Sequence, residues 1–310
     1  MTAPPRRRFA LLARLLGAVD AERVWHLRDV TDPRPGEVLL ERRLDALLER
    51  VRPLVWLVTA TVFVAGLVLV WGVGPRYGPL WSAPLLAVVV HGLFILVVHD
   101  ASHENLTGGA DDRWIGALAS GALLLPFVAE TFAAVHLPHH RHANRGGDTN
   151  WSARRERLFR RSRLLYAAYE MLPLVNAFDR MRPDAGRDRR CVAAAWIAAL
   201  AVVAVFRPPL PYWLGVVIGL NVTTAVRHWT EHFDVVPGRE ARTYRFPLSF
   251  GIGNHAVHHR APGIGAPALM LGLWFRRKDA SAAAAPFRIL FDRRYRHLRS
   301  LHADVDGSEI

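Results

Sequence analysis

Cysteine is almost missing from this chain: Cys191 stands alone among 310 residues. An internal disulfide is thereby excluded, and so is any iron–sulfur or rubredoxin-type cluster built from the chain's own thiolates. Charge is also missing over long stretches. No Asp, Glu, Lys or Arg occurs within 53–75, 77–98, 191–206 or 208–226. A helix needs about 20 largely apolar residues to cross a hydrocarbon layer of about 30 Å. Four such runs describe a polytopic membrane protein rather than four buried helices of a water-soluble one. Acidic residues are the minority, 27 against 40 Lys and Arg, for a formal net charge of +13. No basic stretch is interleaved with base-stacking aromatics, so no nucleic acid is expected as a partner. A basic cytoplasmic face accounts for the charge more simply. A secretory signal is lacking as well, because Arg14 interrupts the apolar part of 6–19. That stretch reads as an interfacial helix, with an organellar transit peptide as the other reading.

What is present organises into an all-α fold. The expected spans are about 54–73, 81–98, 191–206 and 212–226, paired in two hairpins. Gly74-Pro-Arg-Tyr-Gly-Pro79 is short enough only for a tight turn, and Arg207-Pro-Pro-Leu-Pro211 closes the second hairpin. Residues 1–52, with helical patterns over 9–19 and 37–51, are expected as a cytoplasmic or interfacial N-terminal segment. Residues 53–275 are the expected membrane domain, and 276–310 a basic cytoplasmic tail. A fifth uncharged run, 115–129, is too short for a span and contains Gly116, Gly121 and Pro126. It is expected to be a re-entrant or in-plane helix, which leaves the segments before and after it on one face. The hairpin turns carry one arginine each, Arg76 and Arg207, whereas 141–190 is rich in arginine. By the positive-inside rule the opposite face is cytoplasmic, and the expected location is the inner membrane of a bacterial cell.

Of the fifteen histidines, all but His26, His297 and His302 fall between His91 and His259. They group as His99 and His103, then His136, His139 and His140, then His228 and His232, then His255, His258 and His259. Spacings of three and four put imidazoles on one helix face. The four groups all emerge at the same ends of the expected spans. Neutral imidazole is the commonest protein ligand for transition metals. A structural zinc site takes four ligands, so nine candidates, His99, His103, His136, His139, His140, His232, His255, His258 and His259, suit two ions. Imidazole-rich ligation without thiolate suits iron. Asp100, Asp148 and Glu231 are placed to accept the second ring N–H of a ligand and fix its tautomer. Asn254 and His142 are expected beside the ligands rather than among them, and His91 as a buried, hydrogen-bonded residue. Pro138 is expected to begin a helix, where a missing N–H costs nothing, leaving His136 just outside it.

His99-Asp-Ala-Ser-His103, His136-Leu-Pro-His139-His140 and His255-Ala-Val-His258-His259 together resemble the three histidine boxes of the membrane fatty acid desaturase and hydroxylase superfamily. The first box also resembles that of the carotene ketolases. The resemblance covers about 54–269. It continues through Asn144 and Asp148 after the second box, Glu231-His232 with Arg242-Thr243 before the third, and Pro262 after it. It implies a four-span protein with a cytoplasmic helical cap holding a di-iron site, two iron ions per chain, bound by the nine histidines. It further implies O2 as oxidant, a lipid or fatty acyl substrate, and an external ferredoxin- or cytochrome-like electron donor. No catalytic residue beyond the metal centre is implied. Two departures stand out. His228 occupies a position where some members carry an asparagine that holds a metal-bound water, so it reads as a tenth ligand, a water partner or neither. Pro267 falls later than the family's second proline.

The expected activity is therefore O2-dependent oxidation of unactivated C–H bonds, most simply desaturation of a fatty acyl chain carried on a lipid or a thioester. Hydroxylation or ketolation of a lipid or terpenoid is the alternative within the superfamily. Outside it, a haem-based electron carrier would need facing histidines within the spans, where only His91 lies. A metal transporter would place its ligands at mid-membrane along a path, not at helix ends.

Overall fold

The structure, a computed structural model, describes residues 38–126, 128–143, 148–150, 153–172, 188–232, 241, 243–244 and 253–275. The helix expected over 9–19, His26, Asn144, Arg242 and the tail 276–310 with His297 and His302 lie outside the described residues. Among the described residues the chain is helical, with no β-strand. Helix α1 is Val38–Arg50 and α2 is Arg52–Leu67, which runs on through Val68–Val73 and a tighter turn, Gly74–Tyr77. Helix α3 is Pro79–Leu93, extended by Phe94–His99 and Asp100–Ser102. Then come α4 (Asp111–Ala122), α5 (Val128–His142), α6 (Ala153–Arg161) and α7 (Arg163–Met171). Last are α8 (Arg189–Phe206), α9 (Leu210–His232), α10 (His255–Arg260) and α11 (Ala266–Phe275).

Three helical stretches are long and apolar enough to cross a membrane: Arg52–Tyr77, Leu80–Ser102 and Arg189–Phe206. They contain the first three expected spans. Their outward faces carry exposed Leu57, Val58, Val62, Ile197, Leu200 and Val205, an apolar surface suited to lipid rather than water. The fourth expected span lies in α9. This helix has 23 residues, but Asn221, Thr223, Thr224 and Arg227 make it more polar than the other three.

The start of α9 meets the segment that follows α2. Tyr212, at the start of α9, donates its hydroxyl to the carbonyl of Val70 at 2.6 Å and sets its ring edge-on to Trp71. From there α9 packs along α3, so both helices deliver their far ends to the same place. That shared end is where the histidines are.

The uncharged run 115–129 does not continue as one helix. Leu124 adopts a left-handed conformation, φ 59°, its N–H bonds to Gly121 O at 2.8 Å, and the N–H of Leu125 bonds to Ser120 O at 2.9 Å. This double bond around a left-handed residue is the Schellman termination, and Pro126 follows it. A second termination of this kind ends α3. There Glu104 is left-handed, φ 58°, and Asn105 N–H bonds back to Asp100 O. His103 is thereby held at the last position of its helix.

The short α4 lies along α8 at close backbone approach. Ala117, Cys191 and Ala195 form a small apolar cluster between them, the small-residue packing familiar from helices in lipid. Gly121 is the tightest point: a Cβ there would lie 2.0 Å from the backbone oxygen of Ala195. Backbone cannot yield as a side chain can. Gly121→Ala is therefore expected to cost about 1–3 kcal/mol through overpacking, read as a lower thermal midpoint of the detergent-solubilised protein. Gly109→Ala, where nothing lies within 4 Å, is the matched control and should leave the midpoint unchanged.

Candidate metal centre

The nine expected histidines come together. His99 and His103 sit at the end of α3, and His136, His139 and His140 on one face of α5. His232 ends α9, and His255, His258 and His259 occupy α10. Their Nε2 atoms converge in two groups. In the first, His99 lies 3.1 Å from His258 and 3.0 Å from His136, which is 3.0 Å from His140. His103 offers a nitrogen to the same group. In the second, His232 lies 3.2 Å from His139 and 3.0 Å from His255, and His255 lies 3.2 Å from His259. The ring of His140 is 4.3 Å from that of His259, so the two groups adjoin.

The donor set fits metal ions. A neutral imidazole has one N–H, and the buried Nδ1 atoms of His140, His255, His258 and His259 face no hydrogen-bond partner among the described residues. Several lone-pair nitrogens about 3 Å apart repel one another unless a cation sits among them. With metal–nitrogen bonds of about 2.1 Å, adjacent ligands of an octahedral set stand about 3.0 Å apart and those of a tetrahedral set about 3.4 Å. The observed separations match the former. Burial also keeps the rings neutral, as ligation requires. It lowers His103 to about 4, and together with the neighbouring His103 and His139 it lowers His140 to about 2. His136, His255, His258 and His259 are lowered well below the ordinary histidine range by burial and by one another.

Asp148 takes the position that fixes a ligand; Asp100 stands beyond hydrogen-bond distance of His99 Nδ1, and Glu231 faces the Nε2 of His255 rather than its second ring nitrogen. Asp148 Oδ1 lies 2.7 Å from His139 Nδ1 and accepts from Asn150 N–H at 2.8 Å. Burial alone would raise Asp148, but the contact with His139 and then the Asn150 N–H outweigh it and hold the carboxyl at about 2. An ionised carboxylate can only accept, so Nδ1 of His139 carries the proton and Nε2 turns its lone pair toward His232. Arg155 bonds to the carbonyl of Asn150 at 3.3 Å and is itself held by Glu170 at 2.5 Å, both side chains fully buried. The α6–α7 hairpin thus steadies the loop that presents Asp148. Asp100 accepts from the N–H of Ala266 at 2.7 Å, at the start of α11, with its other oxygen 3.6 Å from His99 Nδ1. Glu231 accepts the hydroxyl of Tyr244 at 2.9 Å and stands 3.4 Å from His255 Nε2. Together with His232 and His255, Glu231 forms a third set able to hold a metal.

Other expectations are corrected. Pro138 does not begin a helix: it lies inside α5, which starts ten residues earlier at Val128. The first turns of α5 are nucleated by packing, because Phe132 meets Phe94 edge-on at 5.0 Å and stacks on His136 at 4.5 Å. That contact outweighs the one backbone bond the proline removes. His136 therefore projects from within the helix, and Thr149 ties the following loop back to the carbonyl of Val135. His142 is exposed on the last turn of α5 and lies outside the cluster it was expected to support. His228 is buried one turn before His232, ring centroids 5.1 Å apart. Asn254 is fully buried, but its amide turns to Glu41 at 2.8 Å. His91 is buried, as expected. Arg155, Glu170, Tyr244 and Glu41 carry no motif that would have marked them in the sequence.

Imidazole groups able to hold metal, beside helices long and apolar enough to cross a membrane, point to a membrane metalloprotein. The family model for fatty acid desaturases matches residues 75–290, and the chain belongs to that family. No curated protein and no solved structure matches it. Membership implies a membrane-bound, iron-binding oxidoreductase that uses O2 and acts on lipid.

Asp148→Asn retains the shape of the side chain but removes its charge and puts an NH2 donor beside the one remaining acceptor, so the tautomer of His139 is no longer fixed. Metal affinity should fall about 10- to 100-fold, measured by competition with a chelator, while helix content stays constant. Unchanged affinity would separate Asp148 from the function of His139.

Proposed function

We propose that the protein is a di-iron, O2-dependent desaturase of fatty acyl chains carried on a lipid or thioester. The observation that carries this reading is the convergence of nine imidazoles into two adjoining groups, within a chain of the fatty acid desaturase family. His99, His103, His136, His140 and His258 would hold one iron, and His139, His232, His255 and His259 the other. Iron so held supplies, with O2 and electrons from an external ferredoxin- or cytochrome-like donor, an oxidant able to take hydrogen from an unactivated C–H bond.

The chain's own residues do the rest. Asp148 fixes the tautomer of His139. Glu231, held by Tyr244, borders His255, and Asp100, next to His99 in sequence, bonds to the start of α11. Burial excludes water from the ligands. On the membrane side of His99 and His136 the wall is apolar, built from Phe94 and Phe132. An acyl chain entering between the spans would meet that wall.

We take α9 as the fourth span. Two of its polar side chains are satisfied within the helix: Asn221 donates to Val217 O and Thr223 to Gly219 O, each at 2.9 Å. Internal satisfaction lowers the cost of polar side chains in lipid. With four spans the histidine end shares a side with the arginine-rich segment 141–190, the cytoplasmic side by charge bias.

Elemental analysis of the detergent-purified protein tests the metal. About two irons per chain are expected, lost in the double variant His139→Ala, His259→Ala. Lipid profiling of an expressing host then reads the product: a new double bond supports desaturation, and a new hydroxyl or keto group would replace it with the hydroxylase or ketolase reading. One zinc per chain in folded, never-chelated protein would overturn the oxygenase and favour a metal transporter.

A further inference from the structure

Helix α1 lies outside the matched region 75–290, yet it reaches the third histidine box. Most of α1 is exposed and charged. One stripe, Val38, Glu41, Leu44, Asp45 and Leu48, follows helical spacing, and its apolar members pack on Val257, Ile264, Ala268 and Leu269. Asp45 accepts from the N–H of Gly265 at 3.2 Å. Glu41 is fully buried in this seam, an expensive place for a carboxyl group unless it does something there.

What it does is bind Asn254. Its Oε1 accepts from Asn254 Nδ2 at 2.8 Å, across 213 residues of sequence. Asn254 immediately precedes α10, its backbone carbonyl accepts from His258 N–H at 3.0 Å, and its side chain makes no capping bond to its own helix. The amide is therefore committed to Glu41. The other side of the carboxyl group rests on α11, where Gly272 leaves the room: a Cβ there would lie 2.6 Å from Glu41 Oε1.

The geometry points to Glu41 as a positioning residue for the metal centre: through Asn254 it sets the start of α10, and so the aim of His255, His258 and His259. This rests on the reading that these histidines bind iron. A buried carboxylate can only accept and Asn254 must donate, so the pair has one polarity that can be reversed. Glu41→Gln keeps an acceptor and should hold iron as the wild type does. Asn254→Asp sets two carboxyl groups against each other and should speed iron loss about 10- to 100-fold. The double variant Glu41→Gln, Asn254→Asp restores a donor and an acceptor with roles exchanged, and should recover retention.

The experiment measures iron release to a chelator and amide hydrogen exchange over 255–260, the latter also in metal-free full-length protein. The expected result is loss of both retention and protection in Asn254→Asp, and recovery of both in the double variant. No loss in Asn254→Asp, or loss without recovery, overturns the proposal. Wild-type protein that binds no iron overturns the iron reading instead, and exchange over 255–260 still judges the Glu41–Asn254 contact.

Discussion

The structure depends on holding nine imidazoles together, drawn from four separate parts of the chain, eight of them with Nε2 atoms 3.0–3.2 Å from a neighbour's. Such an arrangement is unfavourable by itself, because lone pairs converge and the rings are cut off from water. Nothing local in α10, a helix of six residues, would maintain it. The rigidity has to come from elements that do not touch metal.

Those elements are the membrane-length helices and the links between them. Tyr212 joins the start of α9 to Val70, and α3 and α9 then run side by side to deliver His99 and His232 to one place. The terminations at Glu104 and Leu124 stop α3 and α4 abruptly, each at the modest cost of a left-handed side chain. Without the second, the run 115–129 would continue toward the opposite face and separate His103 from His136. Around the ligands, a further layer of charge acts at single atoms: Asp148 on His139, Asp100 between His99 and Ala266, Glu231 between Tyr244 and His255.

Much of this was legible in the sequence, for physical reasons. Histidines at spacings of three and four can only share a helix face, and uncharged runs of membrane length have few other uses. What was not legible depends on tertiary partners. Pro138 looked like a helix start because its local preference is clear, but the stacking of Phe132 on His136 decides where α5 begins. His142 shares a short sequence with true cluster members and nevertheless faces outward. Arg155, Glu170, Tyr244 and Glu41 matter only because folding brings them beneath the ligands, and single-residue identity carries no trace of that. The polarity of α9 was visible, but its hydrogen bonds back to the helix were not.

The contact between Glu41 and Asn254 also has a temporal side. Asn254 is made 213 residues after Glu41, roughly 10–40 s later at ordinary rates of synthesis. Through that interval α1 has no seam to occupy, and the third box has not emerged. Only a chain already extended to Asn254 can close that seam, so the third histidine group is the one whose support forms last.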